Sequence, residues 1–358
     1  MHVELFYALG QGEGTQGTTT LQNDLIKLLS AIESEKSLNK AAEKLNTSYR
    51  YFWGCLLKWE ETFGQTLVNR ERGKPATLTA LGRKLLWAER SVQAKHAVTI
   101  AKLVSELNAT FSAASDPNAK IVSIAGCYDS FLSSLQDAAF QSGVIADFHF
   151  NTGCEGLREL GARECMVAGF NFPENSGRES EAYRMFRPLI DPETMEGCHV
   201  CRRSQGLVVA KGNPLGIQTF DDIVEKSLRY AGRSPDTGTY TLQESLLKAM
   251  PCTCSQEKLA AVSTIYPSHM AVATAVASGQ ADAGLCIAQA AQAAGASFIP
   301  LVWENYYLAW YKEEAKAVAP LLEVLRHEGS NEARQEEGRD LSRCAEMIPD
   351  WRQELDWF

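Results

Sequence analysis

No apolar run in this chain comes near the roughly 20 residues that cross a bilayer. The opening Met1-His2-Val3-Glu4 has neither the basic start nor the apolar core of a secretory signal. The expectation is a cytoplasmic protein with no membrane partner. Phosphate-cradling Gly-Lys-Ser or Gly-Lys-Thr loops are lacking, as are a His-Glu-x-x-His metal motif and a Ser, His and Asp grouping that stands out as a triad. No enzymatic reaction is therefore implied. Cys-x-x-Cys occurs once, at Cys198 and Cys201, so no second pair completes a four-thiolate zinc site. Without a secretion signal the ten cysteines read as reduced thiols rather than a disulfide framework. Extremes of composition are missing too: 45% hydrophobic and 22% charged residues exclude a disordered, collagen-like or purely coiled-coil chain. With domains of about 100–200 residues, 358 residues make two or at most three.

What is present is unevenly distributed. The net charge is −9, yet residues 36–95 carry 12 Lys and Arg against 5 Asp and Glu. Such a local positive excess points to a polyanion partner for that module. Leu21, Leu25, Leu28, Leu29 and Ile32 fall at helical spacing, as do Leu38, Ala41, Ala42 and Leu45. Asn46-Thr47-Ser48 supplies a turn and a helix cap, and Phe52, Cys55, Leu56, Trp59 and Phe63 make the next apolar face before Gly64. This is a helix-turn-helix pattern. Two short strand-like pieces, 67–70 and 76–78, flank the basic turn Glu71-Arg72-Gly73-Lys74-Pro75, which reads as a wing.

From Leu81 to Phe111 a long helical stretch places Ala97, Ile100, Val104, Leu107 and Phe111 at heptad spacing, a seam for a second copy. Beyond the small polar stretch 112–118, strand and helix patterns alternate. Strands are predicted at 121–126, 147–153, 165–171, 205–210, 228–232, 262–266, 283–288 and 298–302. Two α/β lobes with a cleft between them account for this alternation. Residues 173–197 read as irregular and 329–358 as a tail. The predicted organisation is a DNA-binding module over 1–84, a linker helix over 85–118, a ligand-binding domain over 119–328 and the tail.

At Ser37-Leu38-Asn39-Lys40-Ala41-Ala42, Leu45-Asn46-Thr47-Ser48-Tyr49-Arg50, Trp53 and Leu78-Thr79-Ala80-Leu81-Gly82 the first 115 residues resemble the winged helix of molybdate-responsive and LysR-type bacterial regulators. Residues 119–328 resemble a two-lobed, type II periplasmic-binding-protein-like effector domain related to molybdate-binding proteins. The matching segments include Gly153-Cys154-Glu155-Gly156-Leu157, Ala168-Gly169-Phe170-Asn171, Asp236-Thr237-Gly238-Thr239 and Ser268-His269-Met270-Ala271. One departure stands out: Tyr240 follows Thr239 where that family carries a longer basic ending. The fold expected is thus α followed by α/β, and the function a ligand-responsive transcriptional regulator acting as a homodimer or homotetramer. The resemblance implies molybdate or tungstate as effector, with a small organic carboxylate such as formate as the alternative and no obligatory cofactor.

The candidate site residues follow from the chemistry of each module. A recognition helix meets base edges with its amino-terminal side chains while a wing meets phosphates. This singles out Ser48, Tyr49, Arg50 and Tyr51 on the helix, and Arg70, Arg72 and Lys74 beside the wing. In an α/β domain, ligands collect at the carboxyl ends of strands, where helix amino termini offer free amides to an anion. The loops so placed bring Tyr128, Thr152, Gly153, Cys154, Asn171, Arg233, Ser234, Thr237, Gly238, Thr239 and His269. Asp129 and Asp236 read as caps rather than ligands. Glu304, within Trp303-Glu304-Asn305-Tyr306-Tyr307, reads as part of a crossover strand. Cys198 and Cys201, with Cys252 and Cys254, keep a metal- or thiol-dependent enzyme open as a third reading. Gly12-Glu13-Gly14-Thr15-Gln16-Gly17 formally fits a dinucleotide-binding fingerprint, but no βαβ unit follows it.

Overall fold

The computed structural model describes residues 23–71, 73–116, 121–235, 237–249, 253–331 and 336–358. Arg72, Asp236, Cys252 and the glycine-rich stretch 12–17 lie outside the described residues.

Helices α1 (Asp24–Glu35), α2 (Leu38–Lys44) and α3 (Tyr49–Phe63) start where a side-chain oxygen accepts an otherwise unpaired amide. Asn23 caps Leu25, Ser37 caps Lys40 and Ser48 caps Tyr51. Their apolar faces, with Leu29, Ile32, Phe52 and Leu56 fully buried, close over Leu67, Val68 and Leu78 of the wing. The wing pairs β1 (Val68–Asn69) antiparallel with β2 (Thr77–Leu78).

Helix α4 (Ala80–Ser115) runs for 36 residues, about 54 Å at 1.5 Å per residue. One face carries only small buried residues: Ser91, Ala94, Ala101, Ser105 and Ala109. Their size lets the helix lie against the domain that follows. Ser105 Oγ donates to Asp147 Oδ1 at 2.9 Å and accepts the Phe148 amide at 2.6 Å. Further along, Ser268 Oγ donates to the Ala94 carbonyl at 3.0 Å and Gln280 Nε2 to Ser91 Oγ at 3.3 Å. On the expected seam Ala97, Ile100, Val104 and Leu107 are half-buried and Phe111 is exposed, with Val92 and Leu103 exposed beside them.

The second domain opens with β3 (Ile121–Gly126), α5 (Ser130–Gln141), β4 (Ile145–Phe150), α6 (Gly153–Gly161), β5 (Val167–Pro173) and α7 (Glu181–Phe186). Strand β6 (Met195–Val209) then crosses to a second lobe. That lobe contains α8 (Phe220–Glu225), β7 (Tyr230–Gly232), α9 (Gly238–Ala249), α10 (Gln256–Ala261), β8 (Ser263–Ile265), α11 (His269–Ala277), β9 (Ala283–Ile287) and α12 (Ala288–Ala293). Strand β10 (Ser297–Tyr311) returns to the first lobe, followed by α13 (Ala315–Ser330), β11 (Arg339–Asp340), β12 (Met347–Ile348) and α14 (Trp351–Glu354). The sheet order is β4-β3-β5-β10-β6-β9-β7-β8, with β11 and β12 also on β6. Within it β3 runs parallel to both β4 and β5, and β7 parallel to β8 and β9. Strands β6 and β10 pair antiparallel along their 15-residue lengths and form the hinge between the lobes.

The alternating strands stand where the sequence places them, but β6 and β10 are far longer than the apolar runs 205–210 and 298–302. The stretch read as irregular contains α7 and the start of β6. Residues 336–358, read as a tail, pack into the first lobe: Trp351 and Trp357 are buried among Phe170, Phe172 and Tyr307.

Candidate functional site

At the start of α3, Ser48 Oγ accepts the Tyr51 amide at 3.2 Å. This fixes the first turn and leaves Tyr49, Arg50 and Tyr51 exposed along it. Tyr49 stacks on Trp53 at 6.1 Å between ring centroids. Arg70 is placed differently. Its Nη2 donates to Glu60 Oε2 at 2.6 Å and its guanidinium lies 4.8 Å from the Trp53 ring centroid. Glu60, buried, also accepts the Leu67 amide at 2.8 Å and the Val68 amide at 3.3 Å. Arg70 therefore anchors the root of the wing, whereas Lys74 stands exposed at its tip with only exposed Glu71 2.5 Å away. Among the described candidates Arg50 and Lys74 are exposed; a solvated ion pair such as Lys74–Glu71 contributes little.

In the second domain, several expected ligand residues are engaged in building the cleft. Thr152 caps α6: its Oγ1 accepts the Glu155 amide at 3.2 Å and donates to Glu155 Oε2 at 3.0 Å. Gly153 packs against β5, where a Cβ would come within 2.9 Å of the Phe170 Cβ, so a side chain there would push the helix off the sheet. Cys154 is buried, and burial pushes its thiol up. Thr237 donates to the Ser234 carbonyl at 2.7 Å and accepts the Tyr240 amide at 3.3 Å, capping α9. Gly238 is exposed and Thr239 buried in the first turn of that helix. Tyr128, half-buried, meets Phe150 edge-on at 5.0 Å, and burial raises its phenol.

Where β6, β10 and the start of α5 meet lies a buried ion network that hydropathy alone does not reveal. Arg203, 1% exposed on β6, binds Asp129 through Nη1 and Glu304 Oε1 through Nε at 2.5 Å. Glu304 Oε2 also accepts Gln205 Nε2 at 2.7 Å and Asn171 Nδ2 at 2.9 Å. Asp129 caps α5 by accepting the Phe131 amide at 2.7 Å and takes Arg339 Nη2 at 3.2 Å. Burial alone raises the Asp129 carboxyl, but Arg339 and Arg203 outweigh it and hold the group at about 2. Desolvation works against the Arg203 cation, yet Glu304 and Asp129 keep it charged well above its ordinary range. Asp129 is thus both the cap expected from sequence and a member of this network.

The opposite wall comes from lobe two. Arg233, after β7, donates to the Tyr266 carbonyl at 3.0 Å. His269 opens α11, whose cap is Ser268. Its Nδ1 is shut off from solvent without a hydrogen-bond partner among the described residues. Burial first, then Arg233 and Arg203, push the imidazole well below its usual range, so it is neutral at pH 7. Ser204 Oγ, Gln205 Oε1 and Gln289 Oε1 are likewise buried without partners among the described residues. Such atoms are ordinarily satisfied by water or ligand. These groups leave buried polar atoms on β6, α11 and α12 for a water or a ligand to satisfy.

Cys198 and Cys201 are buried in β6, and desolvation drives both thiols far above their ordinary range. Burial therefore favours the protonated thiol at both positions. No cluster of three or more His, Cys, Asp or Glu suited to a metal occurs among the described residues. No described helix is long and apolar enough to cross a membrane.

Comparison with known proteins adds the family. Residues 135–326 match the PBP superfamily domain, and residues 24–83 match the bacterial regulatory helix-turn-helix of the lysR family. A protein of Bacillus subtilis, YvgK, itself uncharacterized, is 32% identical over 130 residues. That match spans 36% of this chain and 42% of YvgK, so the chain covers less than half of that relative. Among solved structures, full-length LysG from Corynebacterium glutamicum with bound effector Arg is similar at 18% identity and a TM-score of 0.40, over 85% of this chain and 96% of that one. Full-length BenM is similar at 16% identity and a TM-score of 0.42, over 87% and 98%. The chain belongs to the PBP superfamily domain family, and its residues 24–83 carry the helix-turn-helix of lysR-family bacterial regulators.

Proposed function

We propose that this chain is a cytoplasmic regulator that binds duplex DNA through residues 1–84 and a small anion between the lobes of residues 119–328. Its leading effectors are molybdate and tungstate, with a small carboxylate such as formate second. The observation that carries the reading is the placement of α4. The same helix that begins beside the wing bonds to lobe one through Ser105 and to lobe two through Ser91 and Ala94. A change in lobe arrangement therefore reaches the DNA-binding module along one rigid element, as a two-state switch requires.

For DNA, Arg50 reads a base edge, Tyr49 and Tyr51 flank it, and Ser48 sets the turn; Lys74 and Arg72 neutralise phosphate and Arg70 braces the wing. For the anion, Arg233 supplies charge, Thr239 and the amides opening α9 and α11 supply donors, and neutral His269 donates through one ring nitrogen. Tyr128, Thr152, Gly153, Cys154, Asn171, Ser234, Thr237 and Gly238 shape the walls. The apolar seam of α4, with half-buried Ile100, Val104 and Leu107 and exposed Phe111, pairs with a second copy to make a dimer or a dimer of dimers.

A thermal-shift screen of the full chain against molybdate, tungstate, sulfate, formate and acetate tests the effector. An anion at 100 times its dissociation constant adds roughly 2.7 kcal/mol to stability. A flat response to all five sinks the anion reading. Light scattering at micromolar concentration tests the assembly; a monomeric mass would remove the α4 seam from it.

A further inference from the structure

The segment 336–340 has its own anchorage and its own target. Downstream it is fixed to lobe one: β12 pairs Met347 with Cys198, the Ala345 amide donates to the His199 carbonyl at 2.9 Å, and Trp351 is fully buried. Upstream it reaches lobe two, where Gln289 Nε2 of α12 donates to the Glu337 carbonyl at 3.0 Å. Between the two lie the hinge contacts. The Ser204 amide donates to the Gly338 carbonyl at 2.8 Å, and Arg339 pairs with Arg203 in the ladder.

The fit is close. Gly338 has φ +76, and a Cβ on it would lie 2.4 Å from the Ala288 Cβ of α12. The Arg339 side chain is 3% exposed, bound to Asp129 Oδ1 at 3.2 Å and Glu336 Oε2 at 2.8 Å, with its guanidinium 5.7 Å from the Phe131 ring centroid. A charge this deeply buried holds its position strongly, because leaving would strand Asp129 with Arg203 as its remaining counter-charge.

We propose that Glu336–Asp340 is a strap across the hinge, with Arg339 as its latch on lobe one and Gly338 as its seat on lobe two. The strap holds the lobes in the arrangement seen here, and opening the cleft requires lifting it from α12. It is a built-in restraint on the hinge, separate from whatever occupies the cleft.

The test uses the full chain carrying two fluorophores as unnatural residues at exposed Glu164 in lobe one and Glu257 in lobe two. Energy transfer then reports the distribution of lobe separations without effector or DNA, so failure of the anion reading leaves the test intact. Arg339→Ala removes the latch, and Gly338→Ala pushes the strap off α12 while keeping the latch. Both are expected to at least double the width of the distribution, and Arg339→Lys to fall between Arg339→Ala and wild type. Arg343→Gln, which breaks the pairs with Glu346 and Glu354 downstream of the strap and touches neither Gly338 nor Arg339, serves as the control and stays at wild-type width. Wild-type distributions in both Arg339→Ala and Gly338→Ala, with near-ultraviolet circular dichroism showing intact packing, would overturn the strap. Equal broadening by Arg343→Gln would overturn it too, since it would show general loosening of the carboxyl-terminal segment.

Discussion

On the lobe-one wall of the cleft Arg203, Asp129, Glu304 and Arg339 neutralise one another, whereas on the lobe-two wall Arg233 leans on a carbonyl and the Nδ1 of His269 meets no partner among the described residues. Both walls are rich in polar groups, but lobe one pairs its charges with one another while lobe two presents Arg233 beside a neutral His269. The contrast separates two uses of buried charge. A closed network fixes geometry, because any member removed leaves another unpaired. An incompletely satisfied set stores a desolvation cost that a ligand relieves. On the function proposed above, lobe one is the frame and lobe two the receiver of the anion.

The largest effect expected from this contrast is on stability. Arg203→Met leaves Asp129 and Glu304 buried without their shared cation and should cost about 3–5 kcal/mol. Urea unfolding of the full chain reads it, and a cost under about 1 kcal/mol would show that the network is not the frame. On the other wall, Arg233→Ala should weaken binding of the anion found by thermal shift by about 1.5–3 kcal/mol, the range for a charged hydrogen bond. It should barely change unfolding in the absence of anion. Equal losses of stability from Arg203→Met and Arg233→Ala would erase the distinction between the walls.

A smaller effect separates caps from ligands. Thr152→Val removes the α6 cap and should cost about 1 kcal/mol of stability. Calorimetry should find anion affinity unchanged, because the hydroxyl is already engaged by Glu155. Thr239→Val should do the reverse. The smallest effect is in pH. Asp129 is held at about 2 against an ordinary 3.8, so its contribution is complete above about pH 4 and disappears as pH falls through about 2. His269, surrounded by Arg233, Arg203 and Asp129, is lowered from 6.5. The unfolded chain then binds its proton first, and stability falls as pH drops below about 6.5. His269→Asn should flatten that part of the profile, measured as urea midpoints between pH 7.5 and 5.5.

The amino-terminal module was legible because its determinants are local: capping residues, an apolar face at helical spacing and a basic turn. The short strands of both lobes were legible for the same reason. The hinge strands were not, since Glu196, His199, Arg202, Arg203 and Ser204 interrupt any apolar run. Their burial depends on partners more than 70 residues away, such as Asp129 and Glu304. The segment 336–340 reads as a charged tail for the same reason, because Arg339 finds Asp129 210 residues earlier. Heptad spacing on α4 marked its larger apolar residues, while the face that actually packs is written in Ser and Ala, which carry almost no hydropathy signal. In the second domain, sequence named loops rich in hydroxyls and glycines. It could not tell which hydroxyls the caps consume.

The central claim is that an anion held by lobe two changes the grip of the winged module on DNA through α4. The most direct measurement is a fluorescence-anisotropy titration of the full chain on a promoter fragment, with and without the anion that gives the largest thermal shift. Wild type is expected to show at least a fivefold change in DNA affinity, lost in Arg233→Ala, whose affinity without anion stays at the wild-type value. An identical titration with and without anion, under conditions where the thermal shift proves the anion bound, would contradict it.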